Sequence, residues 1–433
     1  MTAGQQTPPS PQRLKVARVA ISGFFLVNGA VLANLLPRLP EVKDAFELTN
    51  TQFGFLVIAM PLGSILSGMA PAPLMRRFGS GPVAGIGSAL LAALVAVASI
   101  AGGIGGGAWL LAAYVAPIAL AGMLDAIVDT AQNAQAIDLQ KTMGRSILNS
   151  MHAIWSLGAM LGGLMGSAAV ALGVPLTLHL SLSGLLFAAL ALVAQRFSLQ
   201  RAEIGGPRRV VVDPDDGPRP APHAAADAPS PSSSKIRPVV IVVMISVIAI
   251  AGAMVEDLGI NWSTLYLIRV LETPAAAAGM GLVAMMAAQF IGRLLGDPMV
   301  DRFGRVRMAQ AGAAMAAAGV GVVAVAPHPA VAILGFALAG FGCATLVPSA
   351  FHAADSVPGL RPGAGLTLAG WLLRTAFLIV SPLVGVISDS VGLRLAILIV
   401  PLCALIAVLV SGALKERETA PATEEHAAAS TRS

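Results

Sequence analysis

"GMLDAIVDTAQNAQAID", residues 122–138, decides how the whole chain must be read. It sets Asp125, Asp129, Gln132, Asn133, Gln135 and Asp138 within a few helical turns of one another. Yet only 11% of the 433 residues are charged and 56% are hydrophobic. In water the stretch would be an ordinary solvated helix face. In a bilayer it would be a polar stripe on a spanning helix, and each charge would need a partner or a wet cavity. Composition selects the bilayer. Mean hydropathy is +0.80, a soluble domain carries about 25% charged residues, and the 46 Gly suit helices packed closely in lipid.

A bilayer core takes about 20 apolar residues per helix. Twelve segments qualify: 16–36, 52–74, 82–103, 107–137, 146–171, 175–196, 238–263, 275–300, 306–326, 329–354, 363–387 and 393–414. Arg13, Lys15 and Arg18 precede the first, which is too long for a cleaved leader and reads as a retained span. Lys and Arg concentrate on segments sharing a side with both termini, including residues 196–237; Arg38, Lys43, Arg269 and Arg394 fall on the other side. By the positive-inside rule both termini are cytoplasmic, in a cell membrane. The formal charge of +5 is thereby topological, with no nucleic-acid footprint. Cys343 and Cys403 both lie in apolar runs, so no disulfide framework or metal spacing is expected.

Residues 197–237 are rich in Pro, Ala, Asp and Ser and read as a disordered cytoplasmic linker. The expected organisation is therefore all-α: an N-tail (1–14), a six-helix bundle (15–196), the linker, a second six-helix bundle (238–414) and a C-tail (415–433). The bundles look like repeats. "APLMRRFG" (72–79) and "DPMVDRFG" (297–304) match at Pro, Arg, Phe and Gly, each between the second and third helix of its half. Paired six-helix repeats are a transporter architecture.

With "GDPMVDRFGRVR" (296–307) the chain resembles the major facilitator superfamily, across nearly all of residues 14–415. Three stretches, "LPRLPEVKDAFELTNTQFG" (36–54), "NAQAIDLQ…GRSILNSMHAIWSLG" (133–158) and "EDLGINWSTLYL" (256–267), are similar to a bacterial clade of rhizopine-related and uncharacterised membrane proteins near the sugar-type permeases. The resemblance implies transport without naming a solute. It also implies a gate of Asp297, Asp301, Arg302, Gly304 and Arg305, with Arg77 and Gly79 in the first-half copy. That copy has Arg76 where the family has Asp, and Ser80-Gly81 where basic residues are expected.

Asp125, Asp129, Gln132 and Asn133 share one helical face at i, i+4, i+7 and i+8. A charge at mid-bilayer costs ~2.5–3.5 kcal/mol even on the lenient insertion scale. That face is a candidate site for a proton, a cation or solute hydroxyls; the alternative is a stripe that glues helices together. His152 lies at similar depth on the next helix and is the expected partner of Asp129, either coupling transport to protons or making a structural hydrogen bond. Trp155 either stacks on a sugar-like ring or fills space. Asn28 lines the same cavity or bonds between helices. "GAMLGGLMG" (158–166) has small residues placed for close helix contact.

Glu256, Asp257, Asn261 and Trp262 are expected near the outer mouth, with Glu256 capturing solute or sealing a gate. Arg374 reads as the only cation well inside a span, with Trp371 on its face. It pairs with Asp125 or Glu256, or binds an anionic solute. HExxH, GxSxG and P-loop motifs are absent, and "GGIGGG" (102–107) is a turn between spans, so no enzyme and no cofactor is expected. The leading reading is a monomeric, proton-coupled secondary transporter of a small sugar- or polyol-like solute. A proton-driven exporter of drugs or metabolites is the alternative within the class; a sensor or embedded enzyme is the alternative outside it.

Overall fold

The computed structural model describes residues 10–414 apart from 69, 145, 146, 201–235, 356, 359 and 361–363. Most of the 197–237 linker, residues 1–9 of the N-tail and the C-tail (415–433) lie outside the described residues; residues 11–14, expected in the disordered N-tail, already belong to the first helix, Pro11–Ala33, which Ser10 caps. Helices long and apolar enough to cross a membrane number 12 among the described residues. In order, spans 1 to 6 are Pro11–Ala45, Asn50–Ser67, Ser80–Ile104, Ala108–Met143, Ser150–Ala171 and Leu176–Phe197. Spans 7 to 12 are Pro238–Leu271, Ala275–Gly296, Arg305–Val325, Pro329–Ala354, Leu368–Val391 and Leu393–Leu414. The described residues of every expected segment are mainly helical, though several ends move. Span 4 continues to Met143, so Asp138 sits inside the helix, and span 7 continues to Leu271 through a π-turn at Leu258–Trp262. The expected 2–3 loop is itself a short amphipathic helix, Pro71–Phe78.

Spans 1 to 6 pack mainly on one another, as do spans 7 to 12. The faces turned away from those contacts carry exposed apolar side chains such as Leu182, Leu185, Leu334 and Leu409. Such a surface is stable against lipid, and in water it would be an aggregating patch. Polar glue inside the first half includes Gln135, which donates to Ser80 Oγ (2.8 Å) and to the Leu199 carbonyl (3.1 Å), tying span 4 to its neighbours. Arg13 donates to the carbonyls of Phe197 (2.7 Å) and Ser198 (2.6 Å), satisfying acceptors at the end of span 6.

Spans 1 and 5 touch backbone to backbone. A Cβ on Gly158, Gly162 or Gly166 would collide with the carbonyls of Leu26, Ala30 and Asn34, one turn apart on span 1. The small residues of 158–166 therefore do pack a helix, and Gly163 on the other face meets span 8 at Val283. Spans 9 and 10 repeat the device with Gly312 against Gly342 and Gly319 against Gly335. Gly158→Val is expected to destabilise by the ~1–3 kcal/mol typical of overpacking, read as a lower melting temperature and a smaller monodisperse fraction on size exclusion.

The two halves repeat locally as well. Gly79 (φ 86, ψ 155) ends the helix before span 3, and Gly304 (φ 83, ψ 150) ends the helix before span 9. A positive φ of this kind favours glycine, which explains why both copies of the repeated octapeptide finish on it.

Twelve spans crossing in alternate directions bring the ends of the described chain, residues 10 and 414, to one side; the other side is termed distal. There the halves meet. The first turns of span 2 pack on the last turns of span 11, and span 5 packs on span 8. Arg269 forms an ion pair with Asp44 across this end. Arg38, expected in a loop, is 2% exposed: it binds Glu41 at 2.7 Å, donates to the Val174 carbonyl at 2.8 Å, and approaches His179 Nδ1 at 3.3 Å.

Candidate functional site

The polar stripe of span 4 meets span 1 at Asn28. Its amide nitrogen donates to Asp125 Oδ1 (2.7 Å), while its carbonyl oxygen accepts from Trp155 Nε1 (2.8 Å) and from Gln132 Nε2 (3.4 Å). One buried Asn thus holds three elements of the first half in register. Asp129 Oδ1 accepts from Gln132 Nε2 (3.2 Å) and Asn133 Nδ2 (3.0 Å) on its own helix. Asp125 is half-buried, Asp129 is exposed, and Gln132 is fully buried with its Oε1 unpaired.

His152 does not bond Asp129 directly. Its ring stands edge-on to Phe25 with centroids 5.4 Å apart, within electrostatic range of both Asp129 and Arg293. The depth expected for it holds, but side-chain amides rather than the imidazole satisfy the carboxylate.

The second half contributes a residue that lies within the expected 275–300 span but is grouped by the charge count with the cytoplasmic cations of the 8–9 region. Arg293, inside span 8, donates through Nη2 to Glu256 Oε1 (2.9 Å) and through Nη1 to Ser156 Oγ of span 5 (3.1 Å). Its guanidinium carbon lies 5.9 Å from the Trp155 ring centroid, within cation–π range. Gln289, one turn earlier, donates to the same Glu256 oxygen. A continuous chain of polar contacts results, running Asp125, Asn28, Trp155, Arg293, Glu256, and crossing from one half to the other. Several expectations are corrected by it. Glu256 lies near the middle of span 7 and not at its mouth, because the span extends beyond 263. Arg374 is not the only intramembrane cation, and it pairs with neither Asp125 nor Glu256, whose partners are Asn28 and Arg293. Arg374 and Trp371 are both exposed, on the stripe of span 11 that includes Ser381.

Asp257, Asn261 and Trp262 form a separate knot. Asp257, 5% exposed, accepts from Asn261 Nδ2 (2.9 Å) and from Ser381 Oγ (2.6 Å). Trp262 Nε1 donates to the same hydroxyl (3.1 Å), and its ring meets Phe53 of span 2 edge-on at 5.3 Å. The π-turn here widens span 7 locally and brings Asn261 and Trp262 to one side. These residues fasten span 7 to span 11 and support the distal contact.

At the expected gate, Arg77 lies over the Phe78 ring (5.2 Å) and Arg302 over the Phe303 ring (5.3 Å). Arg305 opens span 9. The side chains of Asp297 and Asp301 lie outside the described residues.

Twelve candidate spans in two similar halves, with a chain of polar contacts between them, have the architecture of a multi-pass membrane transporter. The profile of the Major Facilitator Superfamily matches residues 239–433. An uncharacterized transporter of Sinorhizobium fredii, y4wD, is 26% identical over 414 residues, covering 94% of this chain and all of that one. Membrane protein MosC of Rhizobium meliloti is 26% identical, covering 89% of this chain and 87% of its own. Among solved structures, the nucleoside transporter NupG superimposes with a TM-score of 0.67 at 9% identity, covering 92% of this chain and 99% of that one. A D-xylose-proton symporter gives 0.66 at 16%, covering 92% and 97%. The second half of the chain, residues 239–433, thus matches the Major Facilitator Superfamily, and these relatives and structural neighbours are membrane proteins, most of them called transporters.

Proposed function

We propose that the chain carries a small, hydroxyl-rich polar solute through the membrane by alternating access, with protons as the coupling ion. The polar chain from Asp125 to Glu256 carries this reading, because it joins groups from both halves where a central solute would touch both. Its members suit a neutral polyol. Neutral amides and acids accept and donate to hydroxyls, while Trp155 offers a flat apolar face. The structural neighbours, a nucleoside transporter and a D-xylose-proton symporter, agree with such a solute class. Asp125 and Asp129 have neutral hydrogen-bond partners and are the groups able to load and release a proton. The two six-helix bundles move as units joined by the 197–237 segment. Both termini face the cytoplasm, and the protein works as a monomer. Asp301 and Arg302 close the terminal side when the distal side opens.

The test is a thermal-shift screen of purified protein against D-xylose, L-fucose, myo-inositol and uridine, followed by proteoliposome flux with and without a pH gradient. Stabilisation by at least one of them, and flux that follows the gradient, are expected. Stabilisation only by apolar cations would replace this reading with the exporter.

A further inference from the structure

The first turn of span 2 is capped twice. Thr49 forms a capping box with Gln52, its hydroxyl accepting from the Gln52 amide at 3.2 Å. The Phe53 amide bonds to the Thr49 carbonyl at 2.9 Å. The two remaining first-turn amides, of Asn50 and Thr51, find their acceptor in the other half of the protein. They donate to Asp389 Oδ1 and Oδ2 at the end of span 11, at 2.9 and 2.7 Å. Asn50 Nδ2 also donates to Ser388 Oγ at 3.0 Å. A helix start leaves four amides without internal partners, so the distal half of span 2 is complete only with span 11 against it. A carboxylate at that position also meets the positive end of the helix dipole.

The surroundings are built for the same contact. A Cβ on Gly385 would strike the Asn50 carbonyl, and one on Gly54 would strike the Ser381 carbonyl, so only glycine lets the two backbones come this close. Asp389 itself is exposed. Water can therefore take over its hydrogen bonds, which makes the contact breakable, whereas a buried carboxylate would hold it shut.

We propose that Asp389 is the distal latch of the transport cycle: capping span 2 from the opposite half, it holds the distal side closed, and release of the Asn50 and Thr51 amides accompanies opening. The proposal rests on the alternating-access reading. It is tested in the full chain in liposomes by electron-spin distance measurements, in a Cys343→Ser, Cys403→Ser background. One labelled pair, Leu172→Cys with Val325→Cys, reports the distal side through residues 79% and 74% exposed. A second pair, Lys141→Cys with Arg307→Cys, reports the terminal side.

Asp389→Ala is expected to add a longer distal population and a shorter terminal one; Asp389→Asn, which keeps an acceptor oxygen without the charge, should fall between. A distal distribution unchanged by Asp389→Ala overturns the latch. Distal lengthening without terminal shortening supports the latch but removes rigid rocking of the halves, so the two readings fail separately.

Discussion

Arg293→Ala is expected to abolish transport while leaving the protein able to insert. The guanidinium touches Glu256 of its own half and both Ser156 and Trp155 of the other. Its removal leaves Glu256 beside Gln289 with no cation in contact, in a span where an unpaired charge is costly. Breaking a buried pair by deleting one partner costs ~3–5 kcal/mol. Both side chains are partly open, 29% and 21% exposed, so the low end applies. That cost is one of stability and should be read as a lower melting temperature; the loss of flux follows separately, from the broken contact between the halves.

Two companion variants separate charge from geometry. Arg293→Met combined with Glu256→Gln removes both charges at similar volume. It is expected to recover the wild-type melting temperature without recovering flux. Arg293→Lys keeps the charge but lacks the fork that serves two acceptors at once, and should retain only part of the rate. Wild-type flux in Arg293→Ala would show that the halves communicate by another route.

Arg293 also shows where sequence reading stops. All twelve spans, the paired glycines of the repeated octapeptide and the small-residue face of 158–166 follow from hydropathy and steric rules that act within one helix. They were legible for that reason. The stripe of span 4 was legible too, since i, i+4, i+7 spacing places residues on a face without any knowledge of neighbours. What the stripe binds was not legible. Asp129 was matched to His152 by depth alone, whereas its nearest donors are Gln132 and Asn133 on its own helix. Arg293 falls near the end of the expected 275–300 span, close along the chain to Arg302, Arg305 and Arg307, so a charge count groups it with the cytoplasmic side. Yet Gln289 and Arg293, four apart inside an apolar run, carried the same signal that drew attention to Arg374. Asp389 was invisible for a different reason: its role depends on amides more than three hundred residues away in sequence, and backbone amides leave no mark on composition.

Asp129→Asn is expected to uncouple the protein from protons. The substitution conserves size and keeps an oxygen to accept from Gln132 and Asn133, so the stripe should hold its shape and the melting temperature should change little. Under the proton-coupled reading, what it removes is the group that carries a proton in one half of the cycle and a negative charge in the other. Asp129 is exposed beside the half-buried Asp125, and His152 lies within electrostatic range on the next span. In the proton-coupled reading Asp129 is the group that takes up the proton, with Asp125 one helical turn away. In proteoliposomes the variant should lose accumulation driven by a pH gradient, by at least about tenfold, equivalent to ~1.4 kcal/mol. Exchange of labelled for unlabelled solute at equal pH on both sides should continue, because exchange needs no net proton movement. Asp129→Glu restores a carboxyl group and should restore part of the gradient response. Asp125→Asn keeps the acceptor for Asn28 and serves as the comparison: the same loss places the proton on the pair, and an intact response places it on Asp129. If both Asn variants accumulate solute against a gradient as the wild type does, the acids of span 4 are architecture and the coupling ion enters elsewhere.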